Sequence, residues 1–275
     1  MRKSIHVTAG IYAAVSISFW GISFVSTKAV LVQLEPFTLL VLRFGIASLF
    51  LFLLLFLLRQ PLKIKTDYLP EVFILAVLGI FVHQVIQAAA LKSIQASEAG
   101  WIISFSPIFT AVLATLFLKE TFTLFKAAGM SIAVLGVLLI TSYGQGGSLT
   151  FHANMGYALM ILSTLNWAVY SILIKKLKIP YPALTITFYT SLIGFFMTIP
   201  FFIRNNGWVQ MTVLTQENWT HLLFLGIFVS AVAYWFWGKA LEVMEAAKVS
   251  SFLYFEPLAT VIAAVILLNE PILLM

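Results

Sequence analysis

The stretch FLYFEPLATV, residues 252–261, sets Glu256 and Pro257 in the middle of an apolar run. An ionisable side chain inside such a run costs roughly 2.5–3.5 kcal/mol on insertion scales, so it needs a partner or a water-filled cavity. Arg43 lies in a similar setting within 37–58. His83 and Gln87 interrupt the run 69–91, four residues apart and on one helical face, with Gln84 beside them. Read as chemistry, Arg43 is an anchor for a solute carboxylate or a gate residue, and Glu256 is a site for a proton or a cation. Read as structure, the two form an ion pair, or the Arg43 guanidinium snorkels to the interface. Trp20 and Trp167 sit mid-run, and Tyr234 and Trp237 are three apart. Aromatic rings opposite the His83–Gln87 face suit an amphipathic metabolite held by stacking and a few hydrogen bonds. Core packing and interhelical hydrogen bonding use the same residue types.

Other chemistries lack their residues. The chain has no cysteine, no GxxxxGK[ST] phosphate loop and no HExxH. A lone His83 without spaced His, Asp or Glu companions is not a metal site. No cofactor is expected. Ser104 or Ser106 paired with His83 would lack an oxyanion site and a convincing base, so an enzyme is not expected either.

The elements that must position these residues follow from composition. Of 275 residues 61% are hydrophobic and 9% charged, against about 25% charged in soluble domains. Mean hydropathy is +1.03. Apolar runs of membrane-crossing length recur, and they predict nine helices near 7–31, 37–58, 69–91, 96–118, 122–142, 156–177, 182–203, 219–241 and 247–268. This is an all-helical, polytopic membrane protein in contact with the lipid bilayer. The net charge of +6 comes from basic residues scattered singly between spans, so it argues for membrane orientation and against a nucleic-acid partner. Twelve Lys and Arg residues fall on one side of the predicted topology and three (Lys28, Lys92, Arg204) on the other, which predicts a cytoplasmic amino terminus.

The chain repeats itself. ASEAGWIISFSPIFTAVLATLFLKE from Ala96 lies without a gap over AAKVSSFLYFEPLATVIAAVILLNE from Ala246, so Pro107 meets Pro257 and Glu120 meets Glu270. LGIFV occurs at 78–82 and again at 225–229, and Trp20 and Lys28 align with Trp167 and Lys175. Five spans, an odd number, separate each element from its copy, so the halves are inverted, an arrangement that builds two alternating access routes from one unit. The expected division is 1–150 for the first five-helix repeat and 151–275 for the second. The second is expected to stop after its fourth helix, leaving about nine helices where ten complete the pattern. Pro107 and Pro257 are expected to kink the fourth and ninth spans. Glu120 and Glu270 are expected to do no more than cap or terminate helices.

At FWGISFVSTK (Phe19 to Lys28), LRF (Leu42 to Phe44), SPIF…LKE and EPLATV…LNE the chain resembles the EamA family of the drug/metabolite transporter superfamily. The resemblance implies two inverted five-helix repeats around a central solute cavity. It also implies a secondary transporter exporting small organic metabolites, amino acids being the favoured class. A bacterial cytoplasmic membrane is the expected location. A monomer is favoured for the complete fold, and protons or the solute gradient supply the driving force. The apparent loss of a tenth helix raises a non-transporting membrane subunit as the alternative; a lipid-linked-sugar flippase is another use of the same fold.

Overall fold

The computed structural model describes residues 2–121, 123–124, 127–132, 135 and 154–268, with side chains between residues 5 and 266 of those ranges. The described residues form helices, with no strand among them. Among the described residues, eight helices are long and apolar enough to cross a membrane: α1 Ile5–Leu31, α2 Pro36–Leu57, α3 Thr66–Leu91, α4 Ala96–Leu118, α5 Met155–Leu177, α6 Ala183–Arg204, α7 Gln216–Val243 and α8 Ala246–Ile266. Most of the expected span 122–142, and Glu270, lie outside the described residues.

Helix ends follow local chemistry. Pro36 opens α2, where its missing N–H costs nothing. The start of α7 falls earlier than apolarity alone predicts, because Thr215 and Asn218 form a reciprocal cap that satisfies free N–H groups in a polar segment. The capping expected of Glu120 takes a longer reach: from the end of α4 its carboxylate accepts from Ala246 N at 2.7 Å and Ala247 N at 3.1 Å, capping α8.

Both prolines sit where a span is interrupted. Helix α4 breaks at Ser104 and Phe105 and restarts over Ser106–Leu118, with Pro107 in its first turn. Helix α8 passes through a 3₁₀ segment, Ser251–Phe255, and restarts over Glu256–Leu268, with Pro257 second. Rather than bending a continuous helix, each proline opens a new segment. A second pair of irregularities falls on the two copies of LGIFV, where α3 is π-helical over Ala76–Val82 and α7 over Phe224–Ala233. Such bulges concentrate at functional sites.

Hydrogen bonds sort the helix ends into two faces. On one, Lys28 Nζ at the end of α1 donates to Ile94 O (3.0 Å), Asn154 at the start of α5 donates to Ser93 O (2.9 Å), and Ser26 meets His221 near the start of α7. On the other, Lys175 Nζ at the end of α5 donates to Leu241 O (3.1 Å) and Met244 O (2.5 Å), and the Tyr181 hydroxyl accepts from Lys65 N (3.0 Å). Helix α1 therefore ends on the face where α5 begins, and the two run in opposite directions. Lys28 and Lys175, aligned in sequence, make matching bonds at opposite faces. Arg59, Lys63, Lys65, Lys119, Lys175, Lys176, Lys178, Lys239 and Lys248 belong to the second face, called the basic face below.

The packing interlocks the helices before residue 122 with those after residue 153. Helix α1 lies against α7 and α8, α5 lies against α3 and α4, and α2 pairs with α6. Gly21 permits the α1–α8 contact, because a Cβ there would sit 2.6 Å from the Ala259 Cβ and 2.9 Å from the Glu256 carbonyl oxygen. That close approach holds the restarted end of α8, and with it Glu256, at the centre of the bundle.

Candidate functional site

Seven of the singled-out residues converge in the middle of the bundle. Trp20 from α1, Arg43 from α2, His83 and Gln87 from α3, Trp167 from α5, Tyr234 from α7 and Glu256 from α8 line one cavity, together with Ser23, Gln84, Ile103 and Leu253. Every interrupted or π-helical span contributes: Ile103 sits at the break of α4, Leu253 and Glu256 at the break of α8, and Gln84 and Tyr234 just beyond the two π-helical segments.

Arg43 is buried, 1% exposed, and does not snorkel. Its Nε donates to Ser230 Oγ at 2.5 Å and its Nη1 to Gln84 Oε1 at 2.8 Å. Gln84 Nε2 donates in turn to the Tyr234 hydroxyl (2.8 Å), which donates to Gly79 O (3.2 Å). The chain of bonds ties α2, α3 and α7 together at one depth. It also spreads the guanidinium charge over polar neighbours through charge-assisted bonds, which are the stronger kind. No ion pair joins Arg43 to Glu256 among the described residues.

Glu256 is 2% exposed, and its Oε2 has no hydrogen-bond partner. It opens the second segment of α8, where the N-terminal end of the helix dipole favours negative charge. Two donors are similarly idle, the indole nitrogens of Trp20 and Trp167. Buried polar groups are usually paired; here an acceptor and two donors are left open around one cavity.

The rings pack edge to face. Trp20 meets Trp167 at 4.8 Å between centroids and 83°, Tyr234 meets Trp167 at 5.4 Å and 89°, and Trp237 lies behind both indoles at 5.1 and 5.8 Å. Trp237 donates to Ser171 Oγ at 3.3 Å and does not reach the cavity, so the structure gives it a supporting position. His83 lies against Trp167, ring centroids 5.0 Å apart and tilted by 38°, and its Nδ1 lies 2.9 Å from Ser163 Oγ and 3.2 Å from the Ser163 carbonyl oxygen. His83 is thus held to α5 by Ser163, neither Ser104 nor Ser106 being its partner. Gln87 lines the wall. Pro107 and Pro257 shape the α4 and α8 breaks.

Ser163, Ser230 and Tyr170 belong to this assembly and were not singled out. Serines and tyrosines inside an apolar span carry no distinguishing mark until helix rotation is known. The cavity has room for a water-sized occupant only, about 20 Å³.

A second cavity, about 280 Å³, lies nearer the basic face between α5, α6 and α7 and touches the first through Tyr234. No cluster of three metal-ligating side chains occurs among the described residues.

Comparison with known proteins points the same way. The sequence profile described as the EamA-like transporter family matches residues 7–142 and 154–275. An uncharacterized transporter of Archaeoglobus fulgidus is 33% identical over 268 residues, covering 96% of this chain and 91% of that protein. A probable terminal-alkyne amino-acid exporter of Streptantibioticus cattleyicolor is 24% identical over 213 residues, 77% of this chain and 68% of that one. A crystal structure aligns with a TM-score of 0.73 over 94% of this chain and 89% of its own, at 17% identity, which bears on the fold alone.

Proposed function

The chain belongs to the EamA-like transporter family, and from that membership we propose that it is a secondary carrier exporting small organic metabolites, amino acids foremost, by alternating access. The observation that carries the reading is the Arg43 guanidinium and the Glu256 carboxyl group lining one cavity without bridging, with Glu256 Oε2 and the Trp20 and Trp167 indoles unpaired. A small zwitterion completes that set. Its ammonium group neutralises Glu256 and lies against aromatic faces, which favour cations, while an acceptor on the solute takes the indole N–H groups. The relative named as an amino-acid exporter supports the same solute class.

The central cavity is too small to hold a metabolite with the helices as they stand, so solute binding requires the two halves, 1–150 and 151–275, to move apart. Inverted halves around a midplane site are the usual arrangement for that motion. The concentration of Lys and Arg on the basic face supports a cytoplasmic location for that face and for the amino terminus. The driving force is a proton gradient acting through Glu256 or His83, or the solute gradient alone.

The test is flux into proteoliposomes with a panel of radiolabelled amino acids, amines, carboxylates and lipid-linked sugars. Saturable flux of a zwitterionic solute supports the reading. Flux no greater than that of empty liposomes across the panel sinks it, and flux confined to the lipid-linked sugars makes the protein a flippase.

A further inference from the structure

The two halves are not alike where they meet the central cavity. At the register that pairs Trp20 with Trp167, and the two copies of LGIFV with each other, Ser23 pairs with Tyr170 and Gln87 with Tyr234. Ser23 and Gln87 line the central cavity directly. Tyr170 and Tyr234 instead stand side by side, ring centroids 6.4 Å apart, and both line the larger cavity toward the basic face. Tyr234 is common to the two cavities, so the tyrosine pair is the wall between them.

That wall is fastened. The Tyr234 hydroxyl is bonded to both Gly79 O and Gln84 Nε2. The Tyr170 ring lies over the Cα of Gly79, where an added Cβ would come within 2.3 Å of the ring. Gly79 belongs to the π-helical stretch of α3, and its copy in the other half, Gly226, faces Ile46 in place of a tyrosine. The large cavity beyond the wall is lined by Ile174 and Ile186, by Lys175 and Lys178, and by Glu242. Glu242 uses one carboxylate oxygen to accept from Ala183 N at the start of α6, and Lys178 is exposed at the turn after α5. Lys175 is held by Leu241 O and Met244 O and has Glu120 and Glu245 beside it, which leaves Lys178 as the cation at the mouth; at about 280 Å³ the space is the roomier of the two cavities by far.

We infer that this cavity is an outer solute site on the basic face, receptive to carboxylate-bearing molecules, and that Tyr170 with Tyr234 is the gate between it and the central cavity. The inference adds a loading step to the carrier reading, on which it rests. A solute sets its carboxylate near Lys178 and its apolar body against Ile174 and Ile186. It then passes inward when the Tyr234 hydroxyl leaves Gly79.

The chain contains no cysteine, so single cysteines report access without background and without any transport assay. Ile174→Cys and Ser23→Cys, each in liposomes, are treated from the basic face with membrane-impermeant methanethiosulfonates carrying either a sulfonate or a trimethylammonium group. Ile174→Cys is expected to react, and faster with the sulfonate. Ser23→Cys is expected to be protected, and its rate should rise about tenfold or more in combination with Tyr234→Phe, which keeps the ring and removes both hydrogen bonds of the hydroxyl. Tyr170→Ala in the same background should raise it further. An unreactive Ile174→Cys overturns the outer site, and equal or faster reaction with the cationic reagent overturns its preference for carboxylates. A Ser23→Cys rate indifferent to both tyrosine changes overturns the gate. A carrier that moves no solute at all would leave these rates untouched, so the two failures are separable.

Discussion

Replacing Glu256 should make the empty protein more stable while abolishing its function. An ionised carboxylate at the centre of a span costs roughly 2.5–3.5 kcal/mol. The N-terminal end of the restarted helix offsets about 0.5–1 kcal/mol of that. No ion pair offsets the rest among the described residues, and Oε2 has no hydrogen-bond partner. Even as a neutral acid, the unpaired buried oxygen costs about 1–3 kcal/mol. Glu256→Met, which keeps the length of the side chain and removes its polar atoms, should therefore stabilise the fold by about 1–3 kcal/mol. Glu256→Gln, still polar and still unpaired, should change stability by less than about 1 kcal/mol. Equilibrium unfolding in mixed micelles measures the first effect and proteoliposome flux the second, where both variants should be inactive. Sites kept for function commonly sit above the stability optimum in this way. The reasoning is refuted if Glu256→Met is destabilised by 2 kcal/mol or more, on the order of a lost buried interaction, or if it transports normally.

Three further outcomes follow from the same geometry. A double-mutant cycle over Arg43→Met and Gln84→Leu should give a coupling of about 0.6–1.7 kcal/mol, the range measured for interhelical hydrogen bonds in membranes; a coupling near zero on unfolding would show that the 2.8 Å bond contributes nothing. Gly79→Ala should destabilise by about 1–3 kcal/mol, since its methyl group collides with the Tyr170 ring, and Tyr170→Leu should restore part of that loss in the same unfolding assay. Glu120→Ala should cost about 0.5–2 kcal/mol, the worth of a helix cap, and raise hydrogen exchange at Ala246 and Ala247, the two amides it holds.

Eight of the nine expected spans were legible because the bilayer imposes their length and apolarity, and because Pro36 and Pro182 punctuate the sequence where helices start. The cavity was legible for a related reason: Arg43, His83, Trp20 and Trp167 stand out in apolar surroundings. Pairing was not legible. Whether Arg43 met Glu256, the interface or something else depended on the rotation of α7, which presents Ser230 to it, and one serine in an apolar span looks like any other. The reach of Glu120 across to α8 was hidden for the same reason. The prolines were visible, but whether they bend a helix or restart one depends on residues 251–255 entering a 3₁₀ path. The larger cavity was the least visible feature, because it is a gap between α5, α6 and α7 and no residue type announces a gap.

The central claim is that the cavity around Glu256 is where the solute sits, and counterflow in proteoliposomes tests it most directly. Vesicles loaded with unlabelled solute and diluted into labelled solute should accumulate label transiently with the native protein. With folded Glu256→Gln they should take up no more than empty vesicles. Equal counterflow by the native protein and this variant would contradict the account.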